Sequence, residues 1–147
     1  MKTSRLLQAL LLSSLLAAVP AWAVTRTLTI QAPATAKPGT NIHVEIAAAT
    51  DAVDAEQIGF LHAEYSVDGG RTWVPVYAEK LGRKATRSVD IPAGLEGSKA
   101  LVRARAAFRG GKAGDVDFSG APILWGDTWG KWVTPPARTA TINVTGR

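Results

Sequence analysis

The residues best equipped for chemistry in this chain are aromatic. Trp125, Trp129 and Trp132 fall within one eight-residue stretch, Trp125-Gly126-Asp127-Thr128-Trp129-Gly130-Lys131-Trp132. Indole rings favour places with one apolar side and one wet edge, so the stretch has two readings. In the first it is a platform for a sugar ring or an apolar partner, with Asp127 and Lys131 supplying hydrogen bonds. In the second it is a plug that folds over an open end of the core. A platform requires Trp129, between Gly126 and Gly130, to keep one ring face in water.

A second set of candidates is basic. Arg103 and Arg105 project from the same side of one alternating segment, with Arg109 and Lys112 close behind. If solvated, this face attracts anionic polymers or headgroups; equally, alternating arginines are ordinary protection for a strand.

Catalytic and metal constellations are poorly provided for. The two histidines, His43 and His62, fall on predicted polar strand faces, and no Gly-x-Ser-x-Gly elbow presents a serine. A metal site would need both histidines side by side with Glu45 or Glu64. Asp51, Asp54 and Glu56 share a loop, and Asp115 and Asp117 flank a turn, in spacings that fit no calcium loop. They read as solvated loop acids. No catalytic residue, metal site or cofactor is expected.

The elements that must carry these residues are strands. Thr25 to Gln31 alternates, and Asn41 to Ala47 places Ile42, Val44 and Ile46 on one face. Ala48 to Gln57 reads as a loop. Phe60 to Val67 puts Leu61, Ala63, Tyr65 and Val67 inward and His62, Glu64 and Ser66 outward, with Phe60 on the polar side under a covering loop. Trp73 to Tyr77 returns as an edge strand, because Pro75 has no amide to donate. Lys80 to Arg87 reads as a basic turn and Ser88 to Ile91 as a short strand. Leu101 to Arg109 turns Val102, Ala104, Ala106 and Phe108 inward, and Ala137 to Val144 closes the chain. Gly110 to Gly114 is read as a hairpin loop. Some seven short strands with no helical period predict an all-β, antiparallel two-sheet sandwich.

Between two of those strands stands Ser66-Val67-Asp68-Gly69-Gly70-Arg71-Thr72-Trp73. Asp-Gly-Gly closes hairpins, with Asp68 and Ser66 accepting the loop's own amides and Trp73 folding back to bury its ring. The segment resembles the Asp-box pattern, Ser-x-Asp-x-Gly-x-x-Trp, of sialidase-like propellers and other secreted β-domains. One copy in a chain of this size is not a propeller. Together with Val102-Arg103-Ala104-Arg105-Ala106, it resembles fibronectin type III and immunoglobulin-like modules, and the sandwich domain that accompanies sulfite oxidase-type enzymes. The resemblance implies an immunoglobulin-like sandwich, and no activity.

The first 23 residues read as a signal peptide. Lys2 and Arg5 precede an apolar run from Leu6 to Val19, Pro20 stops it, and Ala21-Trp22-Ala23 supplies a small-x-small cleavage site. Residues 24–147 then form one domain, without a transmembrane anchor, in the periplasm or outside the cell. The net charge is +5 for the whole chain, of which the leader holds two positive charges. That is too mild and too dispersed for nucleic acid. Cysteine is absent, so packing alone must hold the domain.

The expected function is therefore a non-catalytic binding or accessory module, with another exported protein as partner. A carbohydrate-binding module using Trp125, Trp129 and Trp132 is the alternative, and a hydrolase the third reading. N-terminal sequencing of the exported product should start at Val24; a membrane-bound form that keeps Met1 would contradict cleavage after Ala23.

Overall fold

The computed structural model describes residues 23–79, 82–109, 124–126 and 133–146. The expected leader up to Trp22 and the expected Gly110 to Gly114 loop therefore lie outside the described residues, as do Asp115 and Asp117. Among the described residues eight strands form two sheets: β1 (Arg26–Gln31), β2 (Thr35–Ala36), β3 (Asn41–Thr50), β4 (Gln57–Ser66), β5 (Val74–Glu79), β6 (Lys84–Pro92), β7 (Lys99–Arg109) and β8 (Arg138–Val144). One sheet has the order β1-β3-β6 and the other β2-β8-β7-β4-β5. The chain is an all-β two-sheet sandwich.

Alternation explains why each strand faces as it does. Leu28 from β1, Ile42, Val44 and Ile46 from β3, and Ile91 from β6 meet Leu61 and Ala63 from β4, Val102, Ala104 and Phe108 from β7, and Ile142 and Val144 from β8. All lie at alternate positions of their strands, so one face of each sheet is removed from water. Each such side chain contributes on the order of 1.5–3 kcal/mol when fully buried.

Several elements depart from the sequence reading. β3 runs on to Thr50, and β6 begins at Lys84, so the supposed basic turn is half strand. Ala85 explains the second case: it pairs with Ala48 and is buried. The extra strand is β2, two residues that pair in parallel with Asn143 and Val144 of β8, which makes the larger sheet mixed. Two residues are too few for a periodic signal. β5 stands at the sheet edge, as Pro75 requires.

Of the three acids in the loop between β3 and β4, Asp51 and Asp54 are exposed as expected and Glu56 is not. Glu56 is buried, and Arg26 donates to both of its oxygens, at 2.8 and 2.6 Å. The Thr50 hydroxyl donates to Glu56 Oε1 at 2.7 Å, and Asp54 Oδ1 accepts the Glu56 amide at 3.2 Å. Asp51 accepts the Thr25 amide at 2.7 Å. Burial alone would raise the Glu56 carboxyl, but the bonds from Arg26 and Thr50 and the charges of Arg26 and Arg83 outweigh it, so its pKa is lowered. Arg26, Thr50 and Glu56 thus fasten the first strand to the start of the fourth.

At the far end of β4, the turn to β5 is built from its own side chains. Asp68 Oδ1 accepts the amides of Arg71 and Thr72, both at 2.9 Å, and Oδ2 accepts the Thr72 hydroxyl at 2.6 Å. Ser66 donates its hydroxyl to Asp68 at 2.7 Å and accepts the Gly70 amide at 2.9 Å. The Thr72 hydroxyl first, then the Thr72 amide and Ser66, hold the Asp68 carboxyl far below the usual carboxylate range. Gly69 and Gly70 have φ of 73° and 90°, a region that a side chain makes costly. Trp73 leaves this turn half-buried rather than enclosed.

Replacing Glu56 with Ala leaves the Arg26 guanidinium and Thr50 hydroxyl without their acceptor. We expect a loss of about 3 kcal/mol in urea denaturation at neutral pH. The lowered carboxyl gives the pH dependence: its contribution is complete above the ordinary glutamate value and fades as pH falls through the lower folded one. The gap between wild type and Glu56→Ala should therefore narrow in acid.

Candidate functional site

The candidate site lies on the outer face of the five-stranded sheet, where β4 and β7 pair. Their register sets His62 opposite Arg105 and Glu64 opposite Arg103. A register shift between Ile58 and Phe60 changes the phase of β4. Ile58 therefore enters the core while Phe60, two residues on, joins His62 and Glu64 on the outer side. Phe60 is completely buried there.

An outer face of an antiparallel sheet is ordinarily wet. This one is not. Phe60 and His62 are 0 % exposed and Glu64 is 7 % exposed. Part of the cover is Trp125, itself half-buried, whose ring meets His62 edge-on with centroids 5.6 Å apart. The chain rejoins the sheet at Val133, which exchanges two backbone hydrogen bonds with Phe108 at 2.8 and 2.9 Å.

Arg103 is the centre of the cluster. Its Nε and a terminal nitrogen donate to Glu64 Oε2, at 2.9 and 2.5 Å. Its Cζ also lies 3.9 Å from the Trp73 ring centroid and 4.0 Å from that of Trp125. Such contacts contribute about 0.5–2 kcal/mol each, more as the cation is desolvated. The turn that delivers Trp73 and the connection that delivers Trp125 thus converge on one guanidinium. Arg105 lies 5.5 Å from the Phe60 centroid and 5.2 Å from that of Trp125, and donates to the Leu124 carbonyl. Beside these held groups, Leu124 is 60 % exposed.

The structure places the sequence-predicted residues unevenly. Arg103 and Arg105 do not form a solvated basic face; Arg103 is tied to Glu64 with its side chain 21 % exposed, because a covered sheet face cannot hold an unpaired charge cheaply. Trp125 belongs to the site, but on the flank of the sheet. Asp127, Trp129, Lys131 and Trp132 lie outside the described residues. Ser66, Asp68, Gly69, Gly70 and Trp73 form the turn that supports the cluster.

The histidines separate. His43 is exposed on β3 with Asp90 2.9 Å away, whereas His62, expected at the surface, is buried in the other sheet with Nε2 3.3 Å from Glu64 Oε1. They cannot share a metal ion. No group of three or more metal-ligating side chains occurs among the described residues. Sequence reasoning missed His62 and Glu64 as members of the site. Both share the face of Arg103 and Arg105 by alternation, so the pairing of β4 with β7 was the absent information.

These features define a class: an all-β sandwich with one outer sheet face covered in part by its own aromatic residues. No known family model matches the chain, and no curated protein matches it.

Changing Arg103 to Met should cost about 3–5 kcal/mol, since it strands the Glu64 carboxylate in a covered site. Changing Glu64 to Leu in the same chain should recover much of that loss. A double-mutant cycle in urea would register a coupling of at least about 1 kcal/mol; additive losses would mean that the two charges do not depend on each other.

Proposed function

We propose that this chain is an exported, non-catalytic immunoglobulin-like module that binds another exported protein through Leu124 and Trp125. The immunoglobulin-like assignment is supported by the strand order and by the opening of the chain, whose β1 pairs in one sheet while β2 pairs in parallel with β8 in the other. The turn from Ser66 to Trp73 supports an Asp-box-like hairpin: its acid is consumed by the turn itself, a structural role. The leader supports export.

One observation carries the binding role. Leu124 is exposed beside a half-buried indole, while Arg103 and Arg105 hold the backbone and ring in place. Interfaces concentrate their energy in a few apolar and aromatic anchors, and an anchor already held in position loses less entropy on binding. Glu64 in this reading is a counter-ion and not an acid catalyst. A glycan platform would draw on Trp129 and Trp132, and it remains the alternative.

A photo-crosslinker at position 124, used in the cells that make the protein, tests this. We expect one exported protein to be captured at 124 and not at Thr29, an exposed position on β1. Leu124→Asp should abolish that capture in competition without changing the melting temperature. Equal capture at both positions would refute the proposal. Quenching of tryptophan fluorescence by oligosaccharides, with no protein captured, would favour the glycan reading.

A further inference from the structure

β6 ends the three-stranded sheet, and its far side has no strand neighbour among the described residues. It is also longer than the other end strands, β1, β2 and β5. Which of its backbone groups face outward follows from its ladder with β3. The Thr50 amide donates to the Arg83 carbonyl, and the Ala93 amide to the Thr40 carbonyl, so the odd-numbered residues of β6 bond β3. Lys84, Thr86, Ser88 and Asp90 therefore turn their amides and carbonyls to the open edge, and their side chains are exposed on the outer face. Pro92 continues this series without an amide to donate.

The edge is complementary to itself. In an antiparallel pairing of two copies centred on Arg87, Lys84 stands opposite the copy's Asp90, and Thr86 opposite its Ser88. The outward backbone groups of these residues then meet as hydrogen-bonded pairs. Opposite charges and facing hydroxyls are also the side-chain combinations that stabilise neighbouring antiparallel strands. A slip of two residues either way sets Lys84 against the copy's Ser88 or Pro92, and the ion pairs are lost.

Arg87 stands at the centre of that pairing. It shares the inward face of Ile46 and is half-buried. Pairing brings the copy's guanidinium directly opposite, at the closer, non-hydrogen-bonded kind of position, where like charges repel. That follows from the place of Arg87 in the strand, whatever other groups its guanidinium meets. A terminal nitrogen also donates to the Thr86 carbonyl at 3.0 Å, one of the outward acceptors that pairing needs. Inward-pointing charges on end strands keep β-proteins from joining edge to edge. The other edges are blunted differently. On β1 the carbonyl of Leu28 points outward and accepts from Arg138 at 3.2 Å, Pro75 interrupts β5, and β2 has only two residues.

We propose that β6 is a pairing edge for a second copy of this chain, held shut by Arg87. Lys84 and Asp90 select the register, and Arg87 makes that same register unfavourable. Removing the charge opens the edge and joins two three-stranded sheets through β6. Leu124 and Trp125 lie against the other sheet, so this edge and the proposed binding role stand or fall separately.

Sedimentation velocity of the purified full chain, over a wide range of concentration, tests this. Wild type should sediment as a monomer. Arg87→Met keeps the length of the side chain and removes its charge. It should associate at least about tenfold more tightly, because a like-charge contact in an interface costs that much or more. Circular dichroism checks that each variant is folded, and Arg87→Gln decides the matter if Arg87→Met does not fold. Lys84→Asp added to Arg87→Met sets two acids opposite each other and should return the protein to monomer. Asp90→Lys added to both restores the ion pairs and should restore association. Folded Arg87→Met and Arg87→Gln proteins that sediment as wild type, or an association indifferent to the exchange at Lys84 and Asp90, overturn the proposal. So does a wild type that already pairs and becomes monomeric with Lys84→Asp.

Discussion

The outer face of the five-stranded sheet depends on the pairing of Glu64 with Arg103. A carboxylate covered by protein is costly unless a cation and hydrogen bonds replace its water. Arg103 does this from the facing strand, and its planar guanidinium leaves surfaces on which indole rings can lie, which a lysine ammonium does not offer. Trp73 and Trp125 both use them. Two segments distant in sequence are thereby brought to one atom group.

The devices that make the convergence possible lie elsewhere along β4. At one end, the bulge after Ile58 turns Phe60 outward and so gives Trp125 and Arg105 an apolar floor. At the other end, the Asp68 turn fixes where Trp73 emerges. Beyond the start of the strand, Arg26, Thr50 and Glu56 bind β1 and β3 to the approach of β4. Both buried carboxylates in this account are met by an arginine distant in sequence. In a chain without cysteine, such pairs and the apolar core supply the long-range ties.

A face sealed in this way bears on function. The outer surface of the β4–β7 pair is unavailable to a partner as a flat sheet, since its polar residues are already engaged. In the proposed binding role, what is offered instead is the rim of the cover, where Leu124 and the open part of Trp125 meet water. The two ends of the sandwich have separate roles in this view: the Asp68 turn and the Glu56 pair hold the frame, and the flank between them presents the anchor.

Much of the frame is legible in the sequence. Strict alternation in Ile42-His43-Val44-Glu45-Ile46 and in Val102-Arg103-Ala104-Arg105-Ala106 states which side chains share a face, because successive residues of a strand point oppositely. Pro75 forecasts an edge, and Ser66 to Trp73 forecasts a turn that satisfies its own amides; these depend only on local chemistry. Alternation cannot say what lies over the second face. His62, Glu64, Arg103 and Arg105 read as wet because polar residues on one side of a strand usually are, yet part of their cover is Trp125, twenty or more residues from Arg103 and Arg105 and in no periodic register with them. Glu56 read as a loop acid for the same reason, since its cation is Arg26, thirty positions away. Local spacing thus determined the strands, the turn and the inward face. Only the tertiary structure decided which charges would be paired and buried, because that depends on distant segments meeting in space and on the cost of leaving a charge without water.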